Sequence, residues 1–170
     1  HVFSSFNLYG WAERDKPYEE LFERCRQHPK IEYYGSLPNQ ELREHIKQMH
    51  ILAYPSIWVE TSCLVLMEAM SAGLTCVHSN LGALYETGSN LTRMYQYDEN
   101  INRHAGLFYH MLKQTIENGV EKNALVQQVY ANMAYSWENR KHQWEALLMS
   151  LKDLPTDLPK ETTQYFTYSS

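Results

Sequence analysis

The sequence lacks the features that would commit it to a membrane, a nucleic acid or an oxidising compartment. No run approaches the roughly 18 apolar residues of a membrane span, and no charged-then-apolar leader opens the chain. Positive charge is in deficit: 15 Lys and Arg against 20 Asp and Glu leave a net charge of −5. Such a chain offers no general attraction to a phosphate backbone, so nucleic acid is not its expected partner. Cysteine is scarce and unpaired in pattern, with Cys25, Cys63 and Cys76 an odd number without a CxxC. A disulfide framework is therefore not expected and a reducing compartment is, which places the chain in the cytoplasm or at the cytoplasmic face of a membrane. The eight histidines include none at HxxxH or HxH spacing: His45 and His50 are five apart, and His104 and His110 six. Neither pair shares a helical face, and no metal is expected. There is no internal repeat or low-complexity stretch, and the single sequon Asn90-Leu91-Thr92 carries little weight.

What is present is enough apolar material for one domain, 44% of residues with 13% aromatic, which excludes intrinsic disorder. His1 opens directly into the strand-like run Val2-Phe3-Ser4-Ser5-Phe6, as if the chain began inside a larger protein. A helix is expected over residues 16–25 with Pro17 near its first turn, stopped by His28-Pro29. A short strand follows at 31–34. Asn39 then reads as the cap of a helix over 40–49, with Leu42, Ile46 and Met49 on one face. Ile51-Leu52-Ala53-Tyr54 is a continuous apolar strand stopped by Pro55, the pattern of a parallel strand covered on both faces. A helix at 63–72 ended by Gly73, strands at 75–78 and 93–96, and helices at about 100–118 and 121–149 complete the pattern, with an extended tail from about residue 153. Strand and helix alternate at least four times, which predicts an open, doubly wound, Rossmann-like α/β domain with a parallel sheet.

Residues 61–77 contain a single charged side chain, Glu68, inside a helix that is apolar on nearly every side. An unpaired buried carboxylate costs several kcal/mol, so Glu68 marks either a functional site or a buried pair with a Lys or Arg from elsewhere. The loop before it favours the first. It follows the carboxyl end of strand 51–54, where open α/β sheets bind ligands, and leads into a helix start whose free amides and positive dipole suit a phosphate. With Ser62 as the cap, Glu68 lies about 9 Å further along the axis at roughly 1.5 Å per residue, and Thr61, Leu64 and Glu68 share a face. A nucleotide diphosphate fits that layout, pyrophosphate at the helix start and ribose hydroxyls on the carboxylate.

These residues also carry a resemblance. Tyr54-Pro55-Ser56, Glu60, seven residues, Glu68-Ala69-Met70, then Gly73 and a strand, resembles the E-x7-E frame in the C-terminal half of family-4 retaining glycosyltransferases of the GT-B fold. Residues 31–42 are similar to that family's strand, glycine and base-binding loop. Gly82-Ala83-Leu84-Tyr85-Glu86 is similar to its GGxxE segment, and Tyr135-Ser136-Trp137-Glu138-Asn139-Arg140 with Trp144 to its FSWE closing helix.

The resemblance implies one half of a GT-B transferase, spanning residues 1–152 with its first strand missing and the acceptor-binding N-terminal domain absent. It implies that Glu60 contacts the donor sugar near the reacting carbon, and that Thr61, Ser62, Cys63 and Leu64 present amides to sugar and phosphates. Glu68 would hold the ribose hydroxyls, and Gly35, Ser36 and Leu37 would border the base. The substrate would be a UDP-, GDP- or ADP-sugar, used without a bound metal, with a glycan, lipid or protein as acceptor. Departing diphosphate held by amides and cations lets the anomeric carbon develop positive charge.

The chain departs from the family in two places. Thr61-Ser62-Cys63 stand where the family has Gly-Phe-Gly. The family's Arg and Lys for the diphosphate follow an earlier strand not found here, and Arg14 and Lys16 read as solvated loop charges. A non-catalytic α/β binding or interaction module therefore stays open as the alternative. A cysteine hydrolase through Cys63, with His78 nearby, is a third reading, although a packed structural cysteine is the plainer one. Apolar surface that would face the absent domain makes self-association an expected property.

Overall fold

Short apolar runs separated by helical segments fold as the alternation requires. The computed structural model describes residues 1–119 and 121–152, which fall into two units, His1–Ala131 and one that begins at Asn132. The first unit holds β1 (Val2–Phe3), two 3-10 turns (Phe6–Tyr9 and Ala12–Tyr18), α1 (Glu19–Gln27), β2 (Tyr33–Gly35) and α2 (Asn39–Ile46). These are followed by β3 (Ile51–Tyr54), α3 (Leu64–Ser71), β4 (Thr75–Ser79), α4 (Leu84–Gly88), β5 (Arg93–Tyr95), α5 (Ile101–Asn118) and the greater part of α6 (Glu121–Ala134).

All strand pairs are parallel, as in a Rossmann-like domain, and they form two hydrogen-bonded sets, β1-β2 and β3-β4-β5. In the larger set Ile51 to Tyr54 pair in order with Thr75 to His78, and Val77 to Ser79 pair with Arg93 to Tyr95. The central strand β4 is buried at every position, whereas β3 is an edge with Ala53 exposed. The sequence pattern therefore finds the β3 strand correctly but overstates its cover. Leu66, Ala69 and Met70 of α3 are fully buried with Leu74, Cys76, Val77 and Leu84, and this cluster is the core.

Several boundaries differ from the sequence expectation, each for a local reason. The N-terminal strand stops at Phe3 because the next residues find other partners. The Ser5 hydroxyl donates to Asp15 Oδ2 (2.6 Å) and accepts from the Asn7 amide, while the Phe6 amide donates to Asp15 Oδ1 (2.8 Å). Those bonds hold the Asp15 carboxyl below its ordinary range. Pro17 has no N–H to place in a helical ladder, so it sits in a 3-10 turn and α1 starts at Glu19. The Ile31 amide is engaged by the His28 carbonyl (3.1 Å), which delays β2 to Tyr33.

The single helix expected over 121–149 is two. The Ser136 hydroxyl accepts from the Asn139 amide (3.2 Å) and caps α7 (Trp137–Lys152), which separates it from α6. Every residue of α7 except Asn139 is exposed, Trp137 and Trp144 among them. Among the described residues no helix is long and apolar enough to cross a membrane. The tail expected from residue 153 lies outside the described residues.

Candidate active site at the carboxyl end of β3

Chain geometry after β3 sets out the candidate residues. Pro55 ends the strand, and the Ser56 hydroxyl accepts from the Trp58 amide (3.1 Å), turning Ile57, Trp58 and Val59 to solvent. Glu60 then returns to partial burial and is fixed from two sides. Its side chain accepts from the Tyr54 phenol, with Oη 2.7 Å from Oε1. Its carbonyl accepts from the Ala83 amide (2.8 Å). Gly82 makes that second contact feasible. It adopts φ +55°, and a Cβ there would stand 2.7 Å from the Glu60 oxygen and 3.0 Å from its nitrogen. Burial, followed by the bond to Glu60, pushes the Tyr54 phenol well above its ordinary range, so it remains a donor.

The helix after this loop begins later than the sequence predicts. Ser62 is exposed, and Cys63, buried and still extended, is the capping residue of α3. Burying the thiol draws Cys63 into the core and moves the first helical residue to Leu64. Thr61 thus precedes the helix and does not share the face on which Leu64 and Glu68 lie, about 6 Å apart along the axis. Thr61 and Ser62 are exposed, and their amides have no hydrogen-bond partner among the described residues.

Glu68 is paired. Arg43 of α2 reaches its Oε1 through Nε (3.2 Å) and Nη2 (3.0 Å), and Asn39 Nδ2 approaches the same oxygen (3.2 Å). The Glu68 side chain is 23% exposed, so the pair lies at a half-open surface and not deep in the core. Asn39 is not the helix cap that the sequence predicts. It is the first residue of α2, Pro38 occupies the cap, and the Asn39 amide group is spent on Glu68. Pro38 directly follows Gly35, Ser36 and Leu37, so the tie holds α2, the helix that this loop enters, to α3. Gly35 takes φ +67° to make that turn.

The structure therefore ties Glu68 to Asn39 and Arg43, with Gly35, Ser36 and Leu37 just before them in the chain, and puts Thr61, Ser62 and Cys63 in the link between Glu60 and α3. Four contributors escape the sequence reading: Tyr54, Gly82, Asn39 and Arg43. Asn39 and Arg43 stand four apart on one helix and share a face, a spacing the sequence offers but gives no reason to aim at Glu68.

The remaining candidates have other tasks. Burial pushes the Cys63 thiol up, which opposes a thiolate nucleophile. His78 does not serve Cys63: its Nδ1 bonds the Ser79 carbonyl (2.7 Å) and its Nε2 the Thr92 hydroxyl (2.8 Å). The Arg14 guanidinium lies 4.5 Å over the Trp11 ring and Lys16 pairs with Glu13 on a solvated turn, in line with their reading as loop charges.

Parallel strands flanked by helices, with two glutamates on the loop and helix following one strand, define a Rossmann-like α/β domain. The model of the family described as glycosyl transferases group 1 matches residues 6–105, more than half of the chain, and the chain belongs to that family. No curated protein matches it.

Proposed function

We propose that the chain is the donor-binding C-terminal domain of a GT-B glycosyltransferase of the family-4 retaining type. It would take a hexose from a UDP-, GDP- or ADP-sugar for transfer to an acceptor hydroxyl in glycan or polysaccharide synthesis. The observation that carries this reading is the tie from α2 to Glu68, which holds the helix that follows Gly35, Ser36 and Leu37 to a carboxylate whose Oε2 has no donor among the described residues. A base on that loop and a ribose on Glu68 are neighbours in this reading, as a nucleotide requires.

In this reading the diphosphate meets the amides of Thr61, Ser62, Cys63 and Leu64, reinforced by the dipole of α3. Glu60 stands at the reacting end, fixed by Tyr54 and Ala83, to face the positive charge that develops at the anomeric carbon. A second reading, a binding module without transferase chemistry, draws on one observation: Arg14 and Lys16 are engaged on the far loop and neither is committed to the helix start.

Calorimetric titration of UDP, GDP and ADP, with and without their sugars, into the chain and into Glu68→Ala tests the reading. One nucleotide should bind, with or without EDTA, and lose about 1–3 kcal/mol in the variant, the scale of a hydrogen bond to a charged group. Equal affinity in both proteins, or no binding of any nucleotide, would overturn the assignment of Glu68.

A further inference from the structure

We infer that Arg43 is a positioning residue that makes the site selective for an intact ribose diol, acting through Glu68. The inference rests on the donor-site reading above. Its ground is the asymmetry of the Glu68 carboxylate. All three donors, two from Arg43 and one from Asn39, converge on Oε1, and among the described residues none reaches Oε2.

A carboxylate oxygen has two lone pairs, so Oε1 is fully occupied and a further hydroxyl must go to Oε2. Charge-assisted bonds from Arg43 Nε and Nη2, both to Oε1, anchor that oxygen and so restrict where Oε2 of the same carboxylate can lie. Without those bonds the Glu68 side chain regains its rotamers and hydroxyls lose an oriented acceptor. The Arg43 side chain is itself 60% exposed, so it contributes little burial of its own and its loss leaves the core intact.

The location strengthens the assignment. Arg43 and Asn39 come from the helix that follows the proposed base loop, while Glu68 comes from the helix that follows the proposed phosphate loop. The tie therefore registers the two halves of a nucleotide site against each other at the place where its sugar would lie. Glu68 keeps 23% of its side chain exposed, and among the described residues no donor reaches its Oε2.

The test uses the 170-residue chain, UDP, GDP and ADP, and the dideoxyribose counterpart of each, titrated by calorimetry. For the nucleotide that binds, the wild type should prefer ribose over dideoxyribose by about 10-fold or more. Arg43→Ala should bring that ratio close to one while leaving affinity for the dideoxy compound within about 2-fold, and Arg43→Lys should restore part of it. Circular dichroism establishes that each variant is folded. An Arg43→Ala protein that retains the full ratio, or that weakens both compounds equally, would overturn the role of Arg43 while Glu68→Ala still tests the site. A wild type that binds a nucleotide without any ribose preference, or binds none, overturns the donor-site reading and this inference together.

Discussion

The two parallel sheets of the first unit are built on different physics. Every residue of β4, the central strand of the larger sheet, is buried, and α3 supplies Leu66, Ala69 and Met70 with no accessible surface. Around β1 and β2 no strand residue is fully buried, and cover comes from Phe22 and Ile46 and from rings laid on rings. Phe3 stacks on Tyr34 with centroids 4.9 Å apart, and Phe22 on Tyr33 at 5.0 Å. The first region is a packed core that carries Glu60 and Glu68 on its rim. The second is a stacked flank that carries the loop of Gly35, Ser36 and Leu37. The donor site proposed above is divided between these two parts and needs a tie across it, and Arg43 with Glu68 supplies one.

The largest expected effect is a break in the rigid part. Leu66→Ala removes a fully buried side chain and should cost about 2–5 kcal/mol in denaturant unfolding, because the surroundings relax only partly into the cavity. Leu8→Ala on the flank, a residue 64% exposed, should stay within about 0.5 kcal/mol. Comparable costs at the two positions would contradict the division between core and flank.

The division also explains what could be read in advance. The apolar strand at Ile51 and the buried helix around Glu68 were legible because continuous hydrophobicity directly encodes burial. Strand termini on the flank were not, because they depend on hydrogen bonds such as Ser5 and Phe6 to Asp15 that leave no periodicity. Glu68 stood out as a lone charge in an apolar helix. Its partner Arg43 did not, since an arginine among the charges of α2 looks like any solvated side chain. Asn39 differs from its sequence expectation for a related reason: cap propensity describes local competition for the backbone, and the side chain goes to a distant carboxylate instead. Tyr54 looked like an ordinary strand aromatic, and only the return of the chain at Glu60 gives its hydroxyl an acceptor. The break at Ser136 was in the sequence as a capping serine, but the helical pattern on either side concealed it.

Gln127 of α6 is fully buried, and neither Nε2 nor Oε1 has a hydrogen-bond partner among the described residues. An unsatisfied buried amide opposes folding, whereas an apolar side chain of similar volume does not. Gln127→Met should therefore raise the unfolding free energy by about 1 kcal/mol. A loss of stability would mean that the amide is satisfied by bound water and contributes to the packing.

The smallest effect is one of pH, and it too separates the core from the flank. His78 on β4 has no accessible surface, and its two ring nitrogens have partners of different kinds. The Ser79 carbonyl can only accept, so Nδ1 carries the proton, and Nε2 then accepts from the Thr92 hydroxyl. Burial lowers the pKa of this neutral ring below its ordinary 6.5, with the Ser79 carbonyl partly offsetting the shift. Above that value neither the folded nor the unfolded chain holds the proton, and His78 adds no pH dependence. Below it the unfolded chain binds a proton that the folded one refuses, so stability falls as pH falls. Unfolding free energies measured at pH 7.5 and pH 5 should show that decline in the wild type and a shallower one in His78→Gln, whatever the variant loses at neutral pH. Parallel profiles would show that the buried ring does not contribute to acid sensitivity in this range, and Asp15 would not account for the decline either, because its lowered pKa gives stability that is lost only as pH falls below its ordinary 3.8.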